Sequence, residues 1–320
     1  MRAAPILMVA LLLGRDVWTD SVNPGLTALY AGRFEQADKA FMELVRNFRA
    51  LNFRPEQASI LFRYLGNLRV AEGSYREAED LYWKALRGLP ADSTGFRFQT
   101  AAALRDLGAL SLILGRYEDA EQQATTALSL MKAAEVGGTA EVAGCLDTLA
   151  EVYRARGKLA QAGPLYQQAL RIHDRYPDWS RPDWAAALNH LAEWHFERGQ
   201  YSQGEAFSRE ALGVSEKLMG KKCPMAATSL HNLGRSLQGQ SKLGDAEPLL
   251  NRALTLREQV LGADHPDVAE SLRWVAELRL ARGDRASAEP MLRRALGIIE
   301  RSLGREHPRR APILRLLDGK

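Results

Sequence analysis

Several absences narrow the class of this chain before any motif is considered. Two cysteines in 320 residues, Cys145 and Cys223, cannot form a disulfide framework. Glycine (26) and proline (13) are too few for a collagenous or low-complexity chain. Basic side chains exceed acidic ones by only 4, with the signs interspersed, so no nucleic-acid partner is expected. The apolar stretch at the amino terminus, residues 3–14, is too short to span a membrane, which takes about 20 residues. Disorder is excluded because 46% of the residues are hydrophobic, enough to offset chain entropy. Catalytic signatures are missing too. There is no phosphate-cradling glycine loop, no G-x-S-x-G elbow and no H-E-x-x-H. The nearest pair of the six histidines, His190 and His195, would lie about 140° apart on a helix and could not share a metal. No cofactor, metal or catalytic residue is expected.

Residues 1–14, MRAAPILMVALLLG, have the short basic start and apolar run of a secretory signal, but Arg15 and Asp16 follow where a small-residue cleavage site belongs. Two readings stand: a signal peptide with a linker, giving an exported protein, or a terminal helix on a cytoplasmic one. Asn23-Pro24 reads as a helix start, with Asn as cap and Pro at the first helical position. The expected division is therefore 1–23 outside the fold and 24–320 within it.

What the chain has in abundance is self-similarity. Gly73-Ser74-Tyr75 recurs as Gly115-Arg116-Tyr117, Gly157-Lys158-Leu159, Gly199-Gln200-Tyr201, Ser241-Lys242-Leu243 and Gly283-Asp284-Arg285, each 42 residues after the last. The same period separates Ala85, Ala127, Ala169, Ala211, Ala253 and Ala295, each followed by Leu. Small residues also recur at Ala78, Ala120, Ala162, Gly204, Ala246 and Ala288 and at Gly66, Gly108, Ala150, Ala192, Gly234 and Ala276. Between them the apolar residues are spaced as on helix faces, as in Leu249, Leu250, Ala253, Leu254 and Leu261. Gly283-Asp284, or its equivalent in each unit, breaks the helix and turns the chain back. Each unit is thus predicted to be a helical hairpin, and the 320 residues to form one stacked array rather than two globular domains.

The spacing of Leu65, Gly66, Ala78, Tyr82, Ala85 and Pro90, and of Leu149, Ala150, Tyr153, Ala162, Tyr166 and Ala169, resembles the tetratricopeptide repeat (TPR). The 42-residue period, and the links Leu261-Gly262-Ala263-Asp264-His265-Pro266 and Leu303-Gly304-Arg305-Glu306-His307-Pro308, resemble its kinesin-light-chain form. Cys223 takes the His position in the preceding link, with Pro224 retained. The resemblance covers about residues 24–318. It implies an all-α, right-handed superhelical solenoid of six full repeats, with partial capping units at Gly32-Arg33-Phe34 and after Pro308. The coiled coil that joins a kinesin light chain to its motor has no counterpart here, so motor association is not implied. A structural hydrogen bond is the expected role of His265 and His307. For His195, in the family's Tyr position, core packing is expected.

In the family the first helix of each repeat lines a concave groove. Carried over residue by residue, this implies Arg63, Asn67 and Val70 from repeat one, and Arg105 and Leu112 from repeat two. Asp147, Glu151 and Arg154 come from repeat three, and Asn189, Glu193, Phe196 and Glu197 from repeat four. His231, Arg235 and Gln238 follow from repeat five, with Glu270, Arg273 and Glu277 from repeat six. The implied groove runs from basic through acidic to mixed, and an asparagine amide such as that of Asn189 can both donate to and accept from a ligand backbone. Arg63 and Asn67 occupy positions where chaperone-binding members hold a C-terminal carboxylate. Asp106, Gly144 and Thr148 stand at the other clamp positions, and Asp106 would repel that carboxylate. The expected function is a non-enzymatic scaffold binding a peptide or partner helix in this groove. The alternative is a regulatory solenoid that changes pitch on binding a small peptide or metabolite.

Overall fold

A computed structural model describes residues 17–48, 54–89, 96–133, 140–175 and 182–319. Among the described residues the chain folds into fifteen α-helices and no strand. A first hairpin pairs α1 (Val17–Tyr30) with α2 (Phe34–Asn47). Three more follow: α3 (Pro55–Ala71) with α4 (Tyr75–Arg87), α5 (Arg97–Ile113) with α6 (Tyr117–Ala133), and α7 (Ala140–Ala155) with α8 (Leu159–Arg175). The last three pair α9 (Pro182–Glu197) with α10 (Tyr201–Met219), α11 (Pro224–Gly239) with α12 (Leu243–Leu261), and α13 (Pro266–Ala281) with α14 (Arg285–Ser302). A single short helix, α15 (Arg310–Asp318), covers the end of the stack. The predicted solenoid of helix hairpins is the observed fold.

Each hairpin turn closes in the same way. The residue after the turn glycine donates its amide five residues back, as in Ser74 to the Arg69 carbonyl (2.8 Å) and Lys158 to the Tyr153 carbonyl (2.8 Å). That bond ends a helix in the Schellman manner and needs a left-handed residue at the turn. Glycine supplies it with φ near +70° to +80°, whereas at the sixth turn, between α11 and α12, Ser241 is driven to φ 63°.

The links between hairpins explain the Leu-Gly-x-x-His-Pro pattern. Gly220 and Gly262 leave their helices at φ 84° and 91°. The next helix is then capped by a side chain ahead of its proline: Cys223 Sγ accepts from the Ala226 amide, and His265 Nδ1 from the Asp267 amide. Cysteine can replace histidine here because the position requires only a short-range acceptor.

The periodic small residues form the seams of the stack. Ala85, Ala127, Ala169, Ala211, Ala253 and Ala295 are fully buried, as are Ala78, Ala120, Ala162, Ala246 and Ala288. At Gly66 a Cβ would lie 2.3 Å from the Tyr82 ring, so the two helices approach more closely than any side chain would allow. Leu65, Leu107, Leu149, Leu191, Leu233 and Val275 fill in beside these contacts and are likewise buried.

The amino-terminal expectation needs correction. Asn23-Pro24 does not start a helix; Pro24 lies inside α1, which begins at Val17. Val22 is buried, and Trp18 packs against the first core cluster around Phe41 and Leu65. This burial offsets the hydrogen bond that an interior proline removes. Residues 1–14, Pro90 and Trp179 lie outside the described residues. Trp184 is buried in α9.

Successive windings of the solenoid touch. The turn at Gly32 faces Pro224 and Val260, Gly73 faces His265, and Gly115 faces His307 and Pro308. In each case turn and link stand 192 positions apart, so one winding takes about 4.6 repeats. One contact is a hydrogen bond: His307 Nε2 donates to the Ile113 carbonyl at 2.9 Å, while its Nδ1 accepts from the Arg309 amide. The first helices of successive hairpins pack side by side and line the inner surface.

Candidate functional site

The inner surface divides into three zones of different electrostatic character. At the amino-terminal end, Asp106 of α5 is clasped by two arginines. Arg63 Nε lies 2.8 Å from Oδ2, and Arg105 Nη2 lies 2.9 Å from Oδ1. Burial alone would raise the Asp106 pKa, but the two guanidinium groups hold it below the usual carboxylate range. Arg105 reaches this position because Gly144 has no side chain; a Cβ there would come within 2.8 Å of Nη1. Asn67 accepts from the Tyr82 hydroxyl at 2.6 Å. Both Arg63 and Asn67 are therefore engaged within the protein, and the basic end implied by the sequence is largely neutralised.

The middle zone is acidic. Arg154 of α7 donates to Glu151 at 2.7 Å, lies 3.0 Å from Glu193, and also bonds Glu197. Three carboxylates thus converge on one guanidinium, and the Tyr166 hydroxyl donates to Glu151. Burial opposes the charge of Glu151, yet Arg154 and His190 hold its carboxyl well below normal. Asp147, one turn earlier on α7, behaves in the opposite way. Burial pushes its carboxyl up to about 7, opposed by His190 and reinforced by Glu151 and Asp183. His173 Nε2 stands 4.0 Å from its Oδ2. Asn189 lies in the seam between α9 and α11, donating to Ser229 at 3.0 Å while its side-chain oxygen faces the Asn232 amide at 3.4 Å. Asn189 is thus part of the repeat contact rather than a free amide on the groove.

The third zone combines aromatic rings with basic groups. The Arg235 guanidinium stacks on Phe196 and on Trp274, 4.4 and 4.5 Å from the ring centroids. The two rings meet edge to face at 5.4 Å. His231, one turn before Arg235 on α11, is 2% exposed, and neither ring nitrogen has a hydrogen-bond partner among the described residues. Burial, Arg257 and Arg235 keep it neutral, well below the usual histidine range. Arg273 is held between Glu270 (2.6 Å) and Glu277 (3.1 Å). Arg257 donates to the Asp267 carbonyl and to Ser271 Oγ, both at 2.9 Å.

The sequence-predicted residues thus fall into separate groups: Arg63 with Arg105 on Asp106, Glu151 with Glu193 on Arg154, and Phe196 with His231 and Arg235. Sequence reasoning did not single out Asn232, Arg257 or Trp274. Asn232 and Trp274 sit one position past the family's groove pattern, and Arg257 belongs to a second helix, outside that pattern. Outside the groove, His195 Nδ1 pairs with Gln200 Oε1 at 2.8 Å and the ring stacks on Phe207. Cys145 and Cys223 are buried free thiols. Among the described residues no helix is long and apolar enough to cross a membrane, and no group of three His, Cys, Asp or Glu could hold a metal ion.

Residues 83–302 match the family described as the MalT-like TPR region. A Rap protein solved in complex with competence and sporulation factor is similar in structure, with a TM-score of 0.58 at 13% identity. That match covers 94% of this chain and 98% of the other. The Rap conjugation gene regulator of plasmid pLS20, solved with the Phr* peptide, gives a TM-score of 0.57 at 17% identity over 78% of this chain and 77% of that one. A kinesin light chain from Podosopora anserina with nearly identical TPR-like repeats gives 0.47 at 19% identity, covering 65% and 97%. The sequence matches no curated protein. At these identities the likeness is one of fold.

Proposed function

The chain belongs to the MalT-like TPR family, and from that premise we propose that it is a non-enzymatic scaffold that binds a peptide, or a helix of a partner protein, along its inner surface. The observation that carries the reading is the concentration of buried charge on that surface, with a zone of aromatic rings around the unpaired Arg235 beside an acidic one. Solenoids present such extended concave faces for binding, and hot spots favour arginine and large aromatic rings. A Rap structure with the Phr* peptide gives the same fold a peptide-bound precedent.

Selection from a displayed library of random dodecapeptides, followed by affinity measurement, tests this. Glu193→Gln combined with Glu277→Gln on the inner face is expected to weaken a selected peptide roughly tenfold, about 1.4 kcal/mol. Arg209→Gln on the outer face is expected to leave affinity unchanged. The reverse pattern refutes the inner-face assignment.

A second reading rests on the contacts between windings. The hydrogen bond between His307 and Ile113 closes the solenoid on itself, so a bound peptide that breaks it would change the pitch. Small-angle scattering of the full chain with a selected peptide separates the two. A scaffold keeps its radius of gyration, whereas a pitch-changing regulator alters it.

A further inference from the structure

Arg235 stands apart from the other charged residues of the inner surface. Arg63, Arg105, Arg154 and Arg273 each contact a carboxylate, whereas Arg235 has no hydrogen bond or ion pair among the described residues. Its Nε is buried without a partner. The acidic groups closest to it electrostatically are Glu193 and Glu270, and both are engaged elsewhere: Glu193 lies 3.0 Å from Arg154, and Glu270 lies 2.6 Å from Arg273. Phe196 and Trp274 hold the guanidinium plane, which fixes the direction of its donor fork at little further cost in entropy. On the same helix face, the neutral His231 ring is 2% exposed with both nitrogens unpartnered. A buried polar group without a partner is costly, and two together imply a ligand that satisfies them.

We propose that Arg235, supported by His231, Phe196 and Trp274, forms an anion site on the inner surface that takes a carboxylate of the bound peptide. The guanidinium would donate two parallel hydrogen bonds to the carboxylate oxygens, and His231 would contribute one more donor. This site rests on the peptide-binding reading and specifies the chemistry that such a peptide must carry. A terminal carboxylate and an aspartate or glutamate side chain offer the same group, and the test distinguishes them.

Three N-acetylated decapeptide libraries, without Asp or Glu at their random positions, are passed over the immobilised full-length chain. One ends in a free carboxylate, one in an amide, and one in an amide with a single central Glu. The wild type is expected to retain at least one carboxylate-bearing library about tenfold better than the amide library. Whichever it retains identifies the source of the group. Arg235→Gln is expected to abolish the preference and Arg209→Gln to leave it intact. Removing an unpaired cation orphans no carboxylate, so the Arg235→Gln chain should melt at or above the wild-type temperature. Should that variant fail to fold, Arg235→Lys, which keeps the charge but not the fork, is expected to lose most of the preference. Equal retention of all three libraries, or a preference that survives both substitutions, overturns the anion site while leaving peptide binding in place. Retention of none refutes both.

Discussion

Replacing Asp147 by Asn tests the electrostatics of the inner surface most sharply. The carboxyl is buried, lies near Glu151 and Asp183, and has its pKa raised from 3.8 to about 7. The folded chain therefore holds this proton more tightly than the unfolded chain does. That contribution to stability is complete below about pH 4, declines as pH rises, and is exhausted above about pH 7. A shift of about 3 units corresponds to about 4 kcal/mol at about 1.4 kcal/mol per unit. Asparagine has nearly the shape of the protonated acid and no proton to lose, and repeat four carries Asn189 at the equivalent position. Urea melts of wild type and Asp147→Asn measure the difference between the two chains, from which other titrating groups cancel. The advantage of the variant should grow from below about 1 kcal/mol at pH 4 to at most about 4 kcal/mol at pH 8. Repeat arrays can unfold in segments, so hydrogen exchange of the α7 amides supplies a local reading of the same quantity. A pH-independent difference, or a variant less stable than wild type at pH 8, would refute the reasoning.

Three further outcomes are expected. Ser241→Gly restores the turn residue used by the other repeats and relieves a left-handed serine, so thermal unfolding should show a gain of about 0.5–1 kcal/mol; a loss would contradict the turn assignment. Ala169→Phe forces a ring into a fully buried seam, and a loss of about 1–3 kcal/mol is expected in the same assay; unchanged stability would remove that seam from the core. His307→Ala deletes the hydrogen bond between windings, and hydrogen exchange near Ile113 should quicken without global unfolding. Acid should cost the wild type only the other bond of this ring, because protonation removes the Nδ1 acceptor of the Arg309 amide while Nε2 still donates to Ile113; burial lowers the His307 pKa, so this sets in below the usual histidine range. Protection near Ile113 that is insensitive to the substitution would contradict the contact.

The hairpins, their turns and their seams were legible because each rests on local spacing repeated at a fixed interval. Ala85 and its five counterparts are fully buried, and the turn tripeptide ends every repeated hairpin. The cap formed by Cys223 and His265 was legible as position, though not as mechanism. Pro24 misled because local propensity favours a helix start there, while the burial of Val22 and Trp18 extends the helix beyond it. The inner surface was legible only as a set of positions. Its pairings join residues about one repeat apart, such as Arg63 with Asp106 and Arg154 with Glu197, and depend on how tightly successive repeats rotate. That rotation is a small angle per repeat, set by packing and not by any motif. For the same reason, Asn189 could be read as a ligand-gripping amide and the unpaired state of Arg235 went unseen.

The central claim is that the inner surface binds a peptide, and site-specific photocrosslinking tests it most directly. Benzoylphenylalanine is placed in the full chain at position 196, beside Arg235, or at position 83, where Trp83 is exposed on α4. Each chain is irradiated with the same library-selected peptide. Adducts formed at position 196 and absent at position 83 are the predicted result. Adducts at position 83 with none at position 196 would place the ligand on the other face and contradict the account.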